Sequence, residues 1–184
     1  MYKLIVIFIL TGSFLTSQAQ DKYLTRTGTV EFFSSTPIED IRANNGQVSS
    51  ILKTNTKEIF FNVLMRSFRF EKALMEEHFN EKYVESEVYP AAKFKGTILD
   101  EIDFSKDGTY EDVTVEGTMI FHGVEKEISV LATIVVDAAA ETIHCTSDFL
   151  LKPEDYTIEI PSVVRDKISD DIQVSTQFVY TKSE

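Results

Sequence analysis

The chain reads as all-β: one antiparallel barrel of some eight strands, with a single short lid helix lying across one end. Three observations predict it. Apolar residues recur at every second position in several runs, turn-forming residues separate those runs, and only one segment has helical spacing in 184 residues containing four prolines.

Taken in order, the first punctuation is Asn44-Asn45-Gly46, which suits a tight reversal. Lys53-Thr54-Asn55-Thr56 is a second. The run after it places Ile59, Phe61, Val63 and Met65 on one face, against Phe60, Asn62, Leu64 and Arg66 on the other, so both faces are partly apolar. Phe70 to Asn80 then changes period. Leu74 and Met75 are followed one turn later by His78 and Phe79, which predicts an amphipathic helix near Lys72 to Asn80, lying as a lid on a core.

Strand character returns at Ala92 to Gly96, and Lys106-Asp107-Gly108 marks another turn. Val113, Val115, Met119 and Phe121 share a face, and His122-Gly123 reverses the chain. Ile128, Val130, Ala132, Ile134 and Val136 form the next apolar face, then Ile143, Cys145, Phe149 and Leu151. Pro161 removes a ladder donor and should interrupt pairing, leaving Ile160, Val163, Val164 and Ile168 to cap the barrel end or form a subunit contact. Ile172, Val174, Phe178 and Tyr180 make the last strand. Eight such strands have a reason to close, because closure removes unpaired edges, and a closed sheet of that size leaves room for one small ligand.

The N-terminus bears on compartment. Met1-Tyr2-Lys3 supplies a positive charge, Leu4 to Leu10 is unbroken apolar sequence, and Ser17-Gln18-Ala19 offers small residues at the cleavage positions. A spanning helix needs ~20 apolar residues, and this run is broken at Thr11, Gly12 and Ser13. Residues 1–19 are therefore expected to be a cleavable signal peptide. Residues 20–184 form the barrel domain, periplasmic or secreted, and stable membrane insertion is not expected. The one cysteine, Cys145, forms no internal disulfide and sits on an apolar strand face. The net charge of −12 opposes phosphate backbones and anionic headgroups, which argues against nucleic acid as a partner.

Catalytic and metal signatures do not emerge. There is no Gly-x-Ser-x-Gly elbow or glycine-rich phosphate loop, and Glu76-Glu77-His78 lacks the second histidine of a zinc helix. No catalytic residue, metal or cofactor is expected. His78 is read as structural or at a pocket mouth, His122 as structural at its turn, and His144 as solvated. Fourteen phenylalanines without a tryptophan leave two readings of the interior. Either the aromatic rings fill a solid core, and the function of a secreted interaction module lies on its acidic surface or a dimer face, or some of them line a tunnel with adaptable methionines.

Several local sequences carry a resemblance. The helix with Met75 and His78, the Glu85-Ser86 step, Tyr89-Pro90 before a strand with Phe94-Lys95-Gly96, and His122-Gly123-Val124 together resemble the YceI-like family of lipid-binding barrels, from about Tyr23 to Tyr180. The opening departs from that family in lacking its tryptophan and early histidine, with Tyr23 and Phe32 as aromatic substitutes.

The resemblance implies a lipocalin-like barrel holding an isoprenoid or other long-chain lipid, acting as carrier or sequestering protein rather than enzyme. The implied ligand-binding set is Phe32, Phe61, Val63, Met65, Met75, His78, Phe79, Phe94, Met119, Phe121, Phe149 and Phe178. Arg66, Arg69, Lys72, Lys93, Lys95, Arg165 and Lys167 are the cations available to a phosphorylated head. Family members often pair, so a homodimer stays open.

Overall fold

A computed structural model describes residues 22–183. The signal-peptide expectation for residues 1–19, and the new terminus at Gln20, lie outside the described residues. Eight long strands close into an antiparallel barrel: β1 (Lys22–Ser35), β2 (Asp40–Lys53), β3 (Glu58–Leu64), β5 (Ala91–Ile98), β6 (Gly108–Phe121), β7 (Val124–Asp137), β8 (Thr142–Leu151) and β9 (Ile172–Lys182). Their order is β1-β9-β8-β7-β6-β5-β3-β2, and β2 pairs back onto β1, with Phe32 opposite Ala43. A two-residue strand, β4 (Arg69–Phe70), adds to β2.

The alternation read from sequence is the facing of the strands. In β7, Ala132, Ile134 and Val136 are buried while Leu131, Val135 and Asp137 are exposed. His122 and Gly123 both take positive φ in the two-residue turn between β6 and β7, a geometry that matches the twist of the flanking strands. His122 is structural, as its turn suggested. Its ring nitrogens lie 3.0 Å from the Tyr156 carbonyl and 3.0 Å from Glu85 Oε2, tying the turn to two neighbouring segments. His144 is exposed on the outer face of β8.

One expected reversal is corrected. Asn44-Asn45-Gly46 lies inside β2, not at a turn, and the β1–β2 register shifts beside it, between Gly28 and Val30. The Asn45 side chain replaces what the irregular ladder loses: Nδ2 donates to the Leu64 carbonyl (2.9 Å) and Oδ1 accepts from the Gln47 amide (2.9 Å). A fully buried asparagine that is satisfied this way supports a bulge and lets the strand run on.

The helical segment is shorter than expected. α1 spans Ala73–His78, and the chain then widens into one π-type turn over Phe79–Tyr83. Arg69 Nη1 to Glu76 Oε1 (2.8 Å), together with the Phe70 amide donating to Glu76 Oε2 (3.3 Å), fastens α1 to β4.

The barrel interior has two unlike halves. At the end carrying Lys22 and the turns 54–57, 99–107 and 138–141, Tyr23, Leu52, Ile59, Ile98, Val113, Ile134, Ile143 and Tyr180 are buried together. Ile102 and Phe104 pack against them from the 99–107 loop. Ser50 Oγ donates to the Phe60 carbonyl (2.7 Å) and so spends its only proton, which leaves Tyr180 to donate to Ser50 (2.7 Å) across the core. The other end carries the 36–39 turn, the 65–90 segment with α1, the His122-Gly123 turn and the 152–171 segment. It is not filled.

Candidate functional site

An apolar cavity of about 590 Å³ occupies that second half. Its floor is Ile59, Val115, Ala132, Cys145 and Phe178, the upper surface of the packed half. Met75, His78 and Phe79 of the lid and Ile160, Val164 and Ile168 of the 152–171 segment cover it. All twelve residues of the ligand-binding set line this one space: Phe32, Phe61, Val63, Met65, Met75, His78, Phe79, Phe94, Met119, Phe121, Phe149 and Phe178. Met65 reaches it from a short turn just past β3.

Most of the rings lie along the walls of the bore, and Phe61 of β3 meets Phe178 of β9 across its floor. Phe94 folds back over Gly96 and Phe178 over Gly28, positions where a Cβ would collide with the rings. Phe61 packs at a tilt against Phe94 (5.7 Å between centroids) and Phe178 (4.6 Å). A second group, Phe32, Phe68, Phe70 and Phe79, pairs at 5.1–5.5 Å and fixes the lid to one side of the mouth. The solid-core expectation therefore describes the closed half only.

Phe68 and Phe70 were absent from the sequence-derived set. Their two-residue spacing was the available signal, hidden by the turn that precedes them and by the brevity of β4. Ile128, Val130 and Leu151 were assigned to inner strand faces and are also lining residues. Of the residues expected to cap the barrel end or form a subunit contact, Val163 does not cap: it is 82% exposed, while its neighbour Val164 faces the cavity. Leu74 sits on the lip, lining the cavity yet 60% exposed.

Three hydroxyls of the wall are already engaged. Ser34 Oγ accepts from the Ser169 amide (2.8 Å), Ser147 Oγ donates to the Leu131 carbonyl (2.6 Å), and Thr176 Oγ1 donates to the Ser147 carbonyl (3.3 Å). Burial pushes the Cys145 thiol up to about 12, so it is a floor residue rather than a nucleophile. No group of three or more metal-ligating side chains occurs among the described residues.

Charge enters only at the edge. Lys72, Lys93 and Lys167 reach it, and Lys72 Nζ lies 2.7 Å from Glu39 Oε1, bridging the lid to the β1–β2 turn. That hydrogen bond from Lys72, supported by the field of Lys167, holds the Glu39 carboxyl below its usual range. Arg66, Arg69 and Arg165 are paired with Glu87, Glu76 and Asp170, and Lys95 sits over the Phe60 ring. The site can exclude water and hold an apolar chain against rings and thioethers. Among the described residues its lining shows no hydrogen-bonded pair of nucleophile and base.

Comparison with known proteins agrees with this geometry. The family described as YceI-like domain matches residues 16–180. Among solved structures, a polyisoprenoid binding domain from Saccharophagus degradans, implicated in plant cell wall breakdown, superposes with a TM-score of 0.73 at 18% identity, covering 89% of this chain and 99% of that one. Burkholderia cenocepacia BcnA gives 0.69 at 12% identity, with 83% and 95% covered. The Campylobacter jejuni YCEI protein gives 0.62 at 18%, with 77% and 84% covered. No curated protein matches the sequence significantly.

Proposed function

We propose, from the premise that the chain belongs to the YceI-like family, that it holds a long apolar molecule of isoprenoid or fatty type inside its barrel and acts as an exported carrier or sequestering protein. The observation that carries this is the 590 Å³ cavity, walled by phenylalanine and methionine and within the size range of ligand sites. Burying a methylene contributes ~0.8 kcal/mol, so ten of them give on the order of 8 kcal/mol, near micromolar affinity before ordering costs. No charged contact is needed to reach that figure. The hydrogen bonds spent on the wall's own backbone favour binding over turnover, and the polyisoprenoid-binding description of the Saccharophagus domain supports the ligand class. Export rests on the sequence of residues 1–19.

Native mass spectrometry of the protein purified from its source is the test. A co-purified lipid of long-chain mass is expected. Met119→Trp, which fills the bore, should expel it while the fold persists by circular dichroism. A protein that arrives empty and stays empty when offered long-chain isoprenoids and fatty acids would sink the carrier reading.

A further inference from the structure

The two ends of the barrel differ on the outside as well as within. Four of the large apolar side chains that stand exposed lie in the loops and lid of the cavity end: Ile38, Leu74, Val88 and Val163, exposed 60%, 60%, 65% and 82%. The loops of the closed end expose one, Leu99, among Asp100, Glu101, Asp103, Asp107, Asp137 and Glu141. Three of the four adjoin the opening directly. Ile38 precedes Glu39, Leu74 is itself on the lip, and Val163 precedes Val164, so three separate segments each present one apolar side chain around the same mouth.

Four cations near the mouth are neutralised locally, Lys72 by Glu39, Arg69 by Glu76, Arg66 by Glu87 and Arg165 by Asp170, while Lys93 and Lys167 stand exposed at the edge. The mouth thus offers scattered apolar side chains among local ion pairs, with Lys93 and Lys167 matched in number by Glu71 and Glu77 of the lid segment, on a chain whose net charge of −12 repels an anionic surface.

We infer that this rim docks transiently on an electrically neutral lipid surface, with Ile38, Leu74 and Val163 entering the interface, so that the cargo passes between membrane and cavity without crossing water. The inference rests on the lipid-carrier reading. A chain that left through water would forfeit the ~0.8 kcal/mol per methylene that holds it, whereas a mouth seated on a bilayer keeps it in an apolar medium throughout. Three isolated apolar side chains suffice for a reversible contact and are far from the anchoring power of an inserted helix.

The absence of tryptophan makes the test direct, since one introduced tryptophan is then the only indole. Val163→Trp, Leu74→Trp and, as a control on the outer barrel wall, Leu131→Trp are each mixed with phosphatidylcholine vesicles. Emission at 163 and 74 should move to shorter wavelength, and emission at 131 should not. Replacing half of the lipid by phosphatidylglycerol should weaken the response. The pair Leu74→Asp with Val163→Asp should lower vesicle partition roughly tenfold per side chain.

No shift at the rim, an equal shift at 131, or stronger response to anionic vesicles overturns the proposal. So does a rim shift that grows with protein concentration before vesicles are added, which would assign the surface to a second copy of the chain. Native mass spectrometry on the same preparation separates the two claims. Cargo without a rim shift defeats the docking alone, and a rim shift without cargo defeats the carrier reading.

Discussion

The closed half of the barrel and its hollow half are built from the same strands with the same alternation, yet one is a core and the other a container. In the closed half the inward residues are mostly branched aliphatics with Tyr180, which interdigitate and leave little space. In the hollow half nine phenylalanines and three methionines join the branched aliphatics, and the rings lie against glycine-thinned walls or against one another. Stability and function are thereby separated along a single axis: the packed half holds the sheet closed, which lets the other half remain unfilled.

Substitutions in the two halves should cost unlike amounts, and that difference is the sharpest way to break the comparison. Ile134→Ala, at a fully buried position of the packed half, should lower unfolding free energy by about 2–5 kcal/mol in urea titration. Phe149→Ala, a larger truncation on the cavity wall, should cost less than that, because the ring already faces open space on one side; what it should change is which chain lengths co-purify. Equal losses at the two sites would mean that the halves are not energetically distinct.

A smaller effect is expected from Tyr180→Phe. It removes the donor to Ser50 and leaves that oxygen with one partner, at about 1 kcal/mol. Cys145 probes the boundary between the halves. With its thiol pushed up to about 12, alkylation of the native protein at pH 8 should be slower by orders of magnitude than in urea, and bound cargo should slow it further. Reaction at the unfolded rate would place the floor in contact with water. The smallest effect on stability is expected from Lys72→Gln, which opens the 2.7 Å bridge to Glu39 at an exposed site. Its urea midpoint should stay in place while cargo exchange quickens.

Much of the fold was legible because the strand period is exactly what burial acts on. Val113, Ala132, Ile143 and Phe178 were assigned inward by alternation and are buried. Asn44-Asn45-Gly46 misled because the same residues serve a turn or a bulge, and the choice belongs to Leu64, nineteen positions from Asn45. Val163 stayed open between capping and a subunit contact because a short irregular segment has no period to read. The lid was found by its spacing, but its ending in a π-type turn depends on seating Phe79 among Phe32, Phe68 and Phe70.

The sequence by itself determined which side chains point into the barrel, that the sheet has reason to close, and that the helix near Lys72 is amphipathic. Whether the inward residues touch was left to the tertiary structure. That outcome depends on the curvature set by register shifts such as the one between Gly28 and Val30, and on rings that turn along the wall where Gly28 and Gly96 leave room. Alternation fixes the direction of a side chain and carries no information about the distance across the bore, so only the closed barrel decides that one end is packed and the other open.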